Sequence, residues 1–396
     1  MDRCDVVVAG HICLDLTPMF RETGARSLSQ IIVPGALTVV GECVVSTGGP
    51  VANTGLSLRM MGISATLMGK VGTDSFGRAV IEVLQAHGGA EGIIQVPGEV
   101  TAYTIVIAPP GIDRAFLHNP GANSTFSADD VNYEALDAAG IFHLGYPPLL
   151  ARLFQNEGDE LVAIFQRARR RGVTTSLDMS LPDPESPSGR VNWDAVLRKA
   201  LPHVDLFLPS IEEVLYLLER DRFLQKRREA ADAGTGIIDL LGPEDYSRLS
   251  RRLLDYGAGV VGLKSGHRGI YVRTATRERL RAFGRAPVGD LENWADREIW
   301  EPAYYVEKVV SATGSGDSAI AGFMAALVHG QSIERALQYA TAAGAQNVRV
   351  HDAISGILPY EETTQSLDKM PKHKLELKAR GWKQDATSGT WHGPAE

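Results

Sequence analysis

Cysteine is scarce in this chain. Only Cys4, Cys13 and Cys43 occur among 396 residues, an odd number without paired spacing, which argues against a disulfide framework or a zinc site. No apolar run approaches the ~20 residues that cross a bilayer. The start of the chain, with its short run Asp5 to Gly10, reads as a first strand and not as a secretory leader, so the expected location is the cytoplasm. Excess positive charge is missing as well. A formal net charge of -8 opposes an extended nucleic-acid surface and leaves the basic run from Arg167 to Arg171 as a solvated helix face. Two familiar phosphate motifs are absent: there is no G-x-x-x-x-G-K-[ST], and the first strand leads into Gly10-His11-Ile12-Cys13-Leu14-Asp15, not G-x-G-x-x-G. Any phosphate site must therefore come from other loops. There is no internal repeat and no low-complexity tract.

What is present is ordinary globular material, 44% hydrophobic and 22% charged, of a length that fits two or three average domains and, equally well, one large α/β domain with appendages. One stretch organises the rest. From Val309 to Gly330, Ser311-Ala312-Thr313 leads into Gly314-Ser315-Gly316, and Ile320, Phe323, Met324, Leu327 and Val328 follow at the spacing of a core-facing helix that stops at Gly330. Two glycines at a helix start bring backbone N–H groups close to a ligand, and the positive end of the helix dipole favours an anion there. Asp317 lies in that first turn, where a carboxylate is also a natural cap.

Along the chain, Asp5 to Gly10 suits a buried strand. Residues 20–46 read as short antiparallel strands outside the main sheet. Gly48-Gly49-Pro50 precedes a helix from Val51 to Met61, closed by Gly62. A strand at Ser64 to Gly69 and a helix at Phe76 to Gln85 complete a βαβ rhythm. Thr101 to Ala108 and Arg114 to His118 form a hairpin around Pro109-Pro110-Gly111, a candidate lid. Further strands are expected at Ile141 to Leu144, Val173 to Asp178, Asp205 to Leu208 and Val260 to Lys264, with helical stretches between them. Residues 225–236 read as a charged helical extension or surface loop. Residues 275–298 read as a polar surface insertion, and residues 365–396 as a tail held by Trp382 and Trp391. Ligands of open α/β sheets bind beyond the carboxyl ends of the strands, which singles out Asp15, Asp178, Ser210 and the loop Ser265 to Gly269.

Gly48-Gly49-Pro50-Val51-Ala52-Asn53, followed by Gly62 and by Lys70-Val71-Gly72-x-Asp74-x-x-Gly77, resembles the first signature of the ribokinase-like (PfkB) sugar kinases. Thr313-Gly314-Ser315-Gly316-Asp317-Ser318 resembles the second. The resemblance runs from residue 5 to residue 360 in motif order. It implies a three-layer αβα fold with a mostly parallel central sheet and a small β-sheet lid. The kinase domain would span residues 1–365, with lid strands from about 15–47 and 100–120, and residues 366–396 would be a C-terminal extension.

The resemblance also implies roles. Asp317 would be the general base for phosphoryl transfer from ATP to a hydroxymethyl group of a small sugar, with the N–H groups of Gly314, Ser315, Gly316 and Asp317 as the anion hole. Asp15, Gly48, Gly49, Asn53 and Lys70 would hold the acceptor, and the loop His118 to Asn123 would close over it. Lys264, Ser265, Gly266 and Gly269 would cup the ATP phosphates, and Asn347 would lie near the adenine. Asp178 would either face the phosphates or end its strand. Glu213 would organise Mg2+. Two positions depart from the pattern. Ser311 replaces an aspartate of the loop that holds an activating monovalent cation in several members, which makes potassium dependence doubtful. Ser210 replaces the asparagine of the P-N-x-x-E motif in Pro209-Ser210-Ile211-Glu212-Glu213. These two serines keep open a catalytically weak sugar- or nucleotide-binding sensor, and a nucleoside kinase on the same scaffold is a further alternative. The expected partners are a small sugar, ATP and a second copy of the chain, with neither nucleic acid nor membrane.

Overall fold

The computed structural model describes residues 4–22, 24–112 and 114–394. Fifteen strands are found among them: β1 (Cys4–Gly10), β2 (Cys13–Pro18), β3 (Cys43–Gly48), β4 (Ala65–Gly72), β5 (Ile93–Val96), β6 (Tyr103–Ile107), β7 (Ala115–Asn119), β8 (Ala139–Gly145), β9 (Thr174–Leu177), β10 (Leu206–Phe207), β11 (Val260–Lys264), β12 (Ile270–Thr274), β13 (Glu298–Glu301), β14 (Lys383–Gln384) and β15 (Trp391–His392). Eleven of them make one sheet in the order β14-β15-β13-β12-β11-β10-β9-β8-β1-β4-β5. From β5 to β11 all neighbours are parallel, and from β11 to β14 all are antiparallel.

Successive side chains of a strand leave opposite faces, and a parallel sheet must bury both. In β1, Val6 and Val8 join one apolar cluster, while Val7 and Ala9 join the other. The first cluster takes Phe323 and Leu337 from the helices Ser315–Val328 and Ile333–Asn347. The second takes Phe165 and Leu253 from the helices Asp159–Arg170 and Pro243–Asp255. The result is the three-layer fold with a small separate sheet. That second sheet has the order β3-β2-β6-β7, with β2 antiparallel to β3, β2 parallel to β6 and β6 antiparallel to β7.

Three expectations need correction. The lid strands begin at Cys13, and residues 20–42 contain no strand among those described, only a short 3-10 turn at Leu28–Gln30. β-branched residues favour strands when a pleated surface buries one side, but here Ile32, Val33 and Val39 remain exposed with no such surface. Residues 275–298 are not merely a surface insertion. Leu280, Val288 and Trp294 are buried, and Ala286 exchanges hydrogen bonds with the Thr174 hydroxyl at the amino end of β9, which places the segment opposite the site. The C-terminal tail is also more than aromatic anchors, since β15 pairs with β13 and extends the main sheet. Residues 225–236 are mainly helical, within Arg220–Ala233.

Candidate active site

The site lies at the carboxyl ends of the strands, where the lid and the helix Ser315–Val328 meet. Gly314 opens that helix with φ 75°, a left-handed conformation that costs an L side chain roughly 1–2 kcal/mol. A Cβ there would also approach the Ala353 Cβ to 2.6 Å. The turn points Asp317 inward, where it is 2% exposed. Asn53 Nδ2 donates to Asp317 Oδ2 at 2.9 Å, and the Tyr146 hydroxyl donates to its two oxygens at 3.0 and 3.1 Å. The Thr54 hydroxyl donates to the Asp317 carbonyl at 3.3 Å. Burial raises the Asp317 carboxyl above the ordinary range, against the opposing pull of these bonds and of Lys264.

Asp15, on β2, faces the same space. A Cβ at Gly48 would lie 2.3 Å from its Oδ2, so only glycine leaves room for the carboxylate. Burial, with the charge of Asp317 adding to it, pushes Asp15 up to about 6, while donation from Cys13 and Thr104 opposes the shift. Beside it, His11 and the lid residue His118 meet Nε2 to Nε2 at 3.4 Å, and the Thr104 hydroxyl is 3.1 Å from His118 Nδ1. Burial lowers both histidines below their ordinary value, more so His11, so this contact joins two neutral rings. Asn123 clamps the loop after β7 by bonding both the Ile12 carbonyl, at 2.8 Å, and the Ile12 N–H, at 3.3 Å. Arg114 of the lid reaches the Thr313 hydroxyl at 3.2 Å.

On the opposite side of Asp317 a cleft of about 240 Å³ opens. Lys264, Ser265, Gly266, Gly269, Ser315 and Gly316 are among its walls. The Lys264 ammonium bonds Asp178 at 2.6 Å, and a Cβ at Gly316 would lie 3.7 Å from Lys264 Nζ. Lys264 is held charged by Asp178, Glu213 and Asp317, which outweigh its burial. Asp178 and Glu213 are both raised by burial, and Asp178 Oδ2 has no hydrogen-bond partner.

Three expected site residues engage protein partners of their own. Lys70 pairs with Asp130 at 3.5 Å and Glu99 at 4.0 Å and donates to the Thr125 carbonyl. Its neighbour Gly69 faces Ile12, so strand alternation sends Lys70 to the other side, where it braces the segment after the lid. Asn347 is buried with its amide on the Ala353 carbonyl at 2.6 Å. The cleft is lined from that helix by Ala340, Thr341, Gly344 and Ala345 and from its C-cap by Val348, and Asn347 is not one of its walls. Glu213 keeps its carboxylate near Lys264, but one oxygen accepts from the Ser210 N–H at 2.7 Å while Ser210 Oγ accepts from the Glu213 N–H, a capping box at the start of Ile211–Leu218. Ser311 Oγ likewise accepts from the Thr313 N–H at 3.2 Å.

Tyr146 and His11 were not singled out by the sequence. Both directly follow the carboxyl ends of strands, β8 and β1, and that rule alone could have found them.

The family model of pfkB carbohydrate kinases matches residues 5–359. An uncharacterised sugar kinase of Archaeoglobus fulgidus is 23% identical over 303 residues, 76% of this chain and 98% of that protein. Maize fructokinase-1 is 30% identical over 206 residues, 48% of this chain and 63% of its own length. The structure of Arabidopsis thaliana ribokinase complexed with ribose and ATP is similar in fold, with a TM-score of 0.65, 20% identity and coverage of 92% of this chain and 99% of that one.

Proposed function

Since the chain belongs to the pfkB family of carbohydrate kinases, we propose that it transfers the terminal phosphoryl group of ATP to a hydroxymethyl group of a small sugar or sugar derivative. The observation that carries this reading is the position of Asp317. It is bonded to Asn53 of the first signature and lies at the helix start that also borders the cleft, so the two signatures, far apart in sequence, meet at one carboxylate. In the proposed reaction Asp317 accepts the proton of the attacking hydroxyl. The N–H groups of Gly314 to Asp317 stabilise the charge of the transferring group. Asp15, Asn53 and the backbone of Gly48 and Gly49 hold the acceptor hydroxyls. Lys264, Ser265, Gly266 and Gly269 hold the ATP phosphates.

Asp178 and Glu213 fit a magnesium site, because a buried carboxylate with an unpartnered oxygen and a half-buried one beside it match a hard cation that keeps most of its own waters. Bound there with the nucleotide, the metal would neutralise phosphate charge. Ser311 carries no charge, and a monovalent cation is given no role.

ATP-consumption assays over ketoses, aldoses, sugar acids, sugar phosphates and nucleosides test the proposal. Turnover of one sugar class is expected. Turnover of nucleosides alone would replace the reading with a nucleoside kinase. Binding without any turnover would favour the weakly catalytic sensor, which the engagement of Glu213 by Ser210 supports.

A further inference from the structure

We propose that the segment beyond the family match completes the nucleoside end of the donor cleft, with His373 as the residue that meets the base or ribose of the nucleotide. This rests on the donor-site reading above. The family match ends at residue 359, yet the chain returns to the cleft after that point. Residues 371–373 are tied by backbone along the segment 303–305. Tyr305 N donates to the Pro371 carbonyl and His373 N to the Ala303 carbonyl, each at 2.8 Å, and Tyr304 forms a bridge with Lys372.

The rest of the tail holds that strip in place. Lys372 pairs with the buried Glu301, and the Thr390 hydroxyl donates to the same carboxylate at 2.6 Å. The Trp382 ring lies 6.2 Å from Tyr271 and 6.3 Å from Trp300. Leu375 and Leu377 are buried in the second apolar cluster. A segment that anchors itself this way presents His373 on a fixed backbone.

His373 is a wall of the cleft, with its ring edge-on to Tyr305 at 5.3 Å. Other walls of the same cleft are Ile270, Tyr304, Val306, Thr341 and Val348. That lining, apolar with few hydroxyls, suits a flat heteroaromatic base. Lys264, packed against Gly316, is the wall suited to the phosphates. In this proposal the imidazole offers a ring face and one polar edge to the nucleoside, while Lys264 serves the phosphates.

The test uses the full-length protein, with ATP and inorganic tripolyphosphate as separate probes in calorimetric binding and steady-state kinetics. His373→Ala is expected to raise both Kd and KM for ATP about five- to tenfold, the scale of one lost aromatic contact. The acceptor KM, kcat and tripolyphosphate affinity should stay unchanged, and His373→Phe should recover most of the ATP affinity. Unaltered ATP binding by His373→Ala, or an equal loss for ATP and tripolyphosphate, overturns the proposal. If the unsubstituted protein binds no ATP, the donor-site reading fails first, a result distinct from either of those.

Discussion

Tyr146 stands with φ 62° and ψ 48° although Pro147 follows it. A residue before proline prefers extended backbone, and a left-handed conformation in a bulky residue costs about 1–3 kcal/mol. The surroundings enforce it, and one tie is the bond from the Tyr146 N–H to the Asp178 carbonyl at 3.3 Å. The consequence is chemical. A donor aimed at Asp317 stabilises its ionised form, whereas burial favours the protonated form. Removing the donor should therefore move the carboxyl further upward. In the pH profile of kcat/KM, activity falls on the acidic side as the base is protonated. Tyr146→Phe should shift that limb upward by about one pH unit, the worth of one hydrogen bond to a charged group. A limb that does not move would show that the phenol has no hold on the base. Asp317, Asn53 and the glycines could be read from the sequence because their spacing forms two signatures. Tyr146 belongs to neither signature, and only its place just after β8 points to it, while its left-handed backbone runs against what Tyr-Pro-Pro predicts locally.

Among the elements, segments with an apolar period or a bounded apolar run were readable, and three short strands were not. The strand β1, the helix Pro50–Met60 and the hairpin β6–β7 follow their apolar periods or glycine stops closely. The strand β5 has four residues and β14 and β15 two each, too few for any period to register, and their pairing depends on neighbours distant in sequence. The turn that opens Ser315–Val328 belongs to this scale, since it combines a left-handed glycine with close contact to Ala353. Gly314→Ala should lower stability by roughly 1–2 kcal/mol from the backbone conformation alone. Displacement of the proposed anion-binding N–H groups should reduce kcat more than it raises the acceptor KM. Thermal denaturation and steady-state kinetics check both effects, and an alanine variant equal to the original in both would mean that the turn tolerates a side chain.

Across the whole molecule, sites are made by joining segments far apart in the chain: Asn53 to Asp317, Asp178 to Lys264, and Ala303 to His373. Motif order along the sequence anticipated the first of these. The last needed the fold, because the tail carries no motif and finds its place by pairing with β13. The small sheet leaves Val45, Phe116 and Leu117 half exposed. An apolar lid surface on exposed strands favours association between copies, and light scattering is expected to give the mass of a homodimer; a monomer at micromolar concentration would contradict it. Among the described residues no helix is long and apolar enough to cross a membrane.

The central claim is that Asp317 is the base of a phosphoryl transfer. It is tested most directly by measuring ATP binding and acceptor turnover for Asp317→Asn, a change that keeps size and shape. ATP affinity is expected to stay near that of the unsubstituted protein while kcat falls about 10²- to 10⁴-fold, the usual contribution of a general base. Turnover of the true acceptor at an undiminished rate would contradict the assignment.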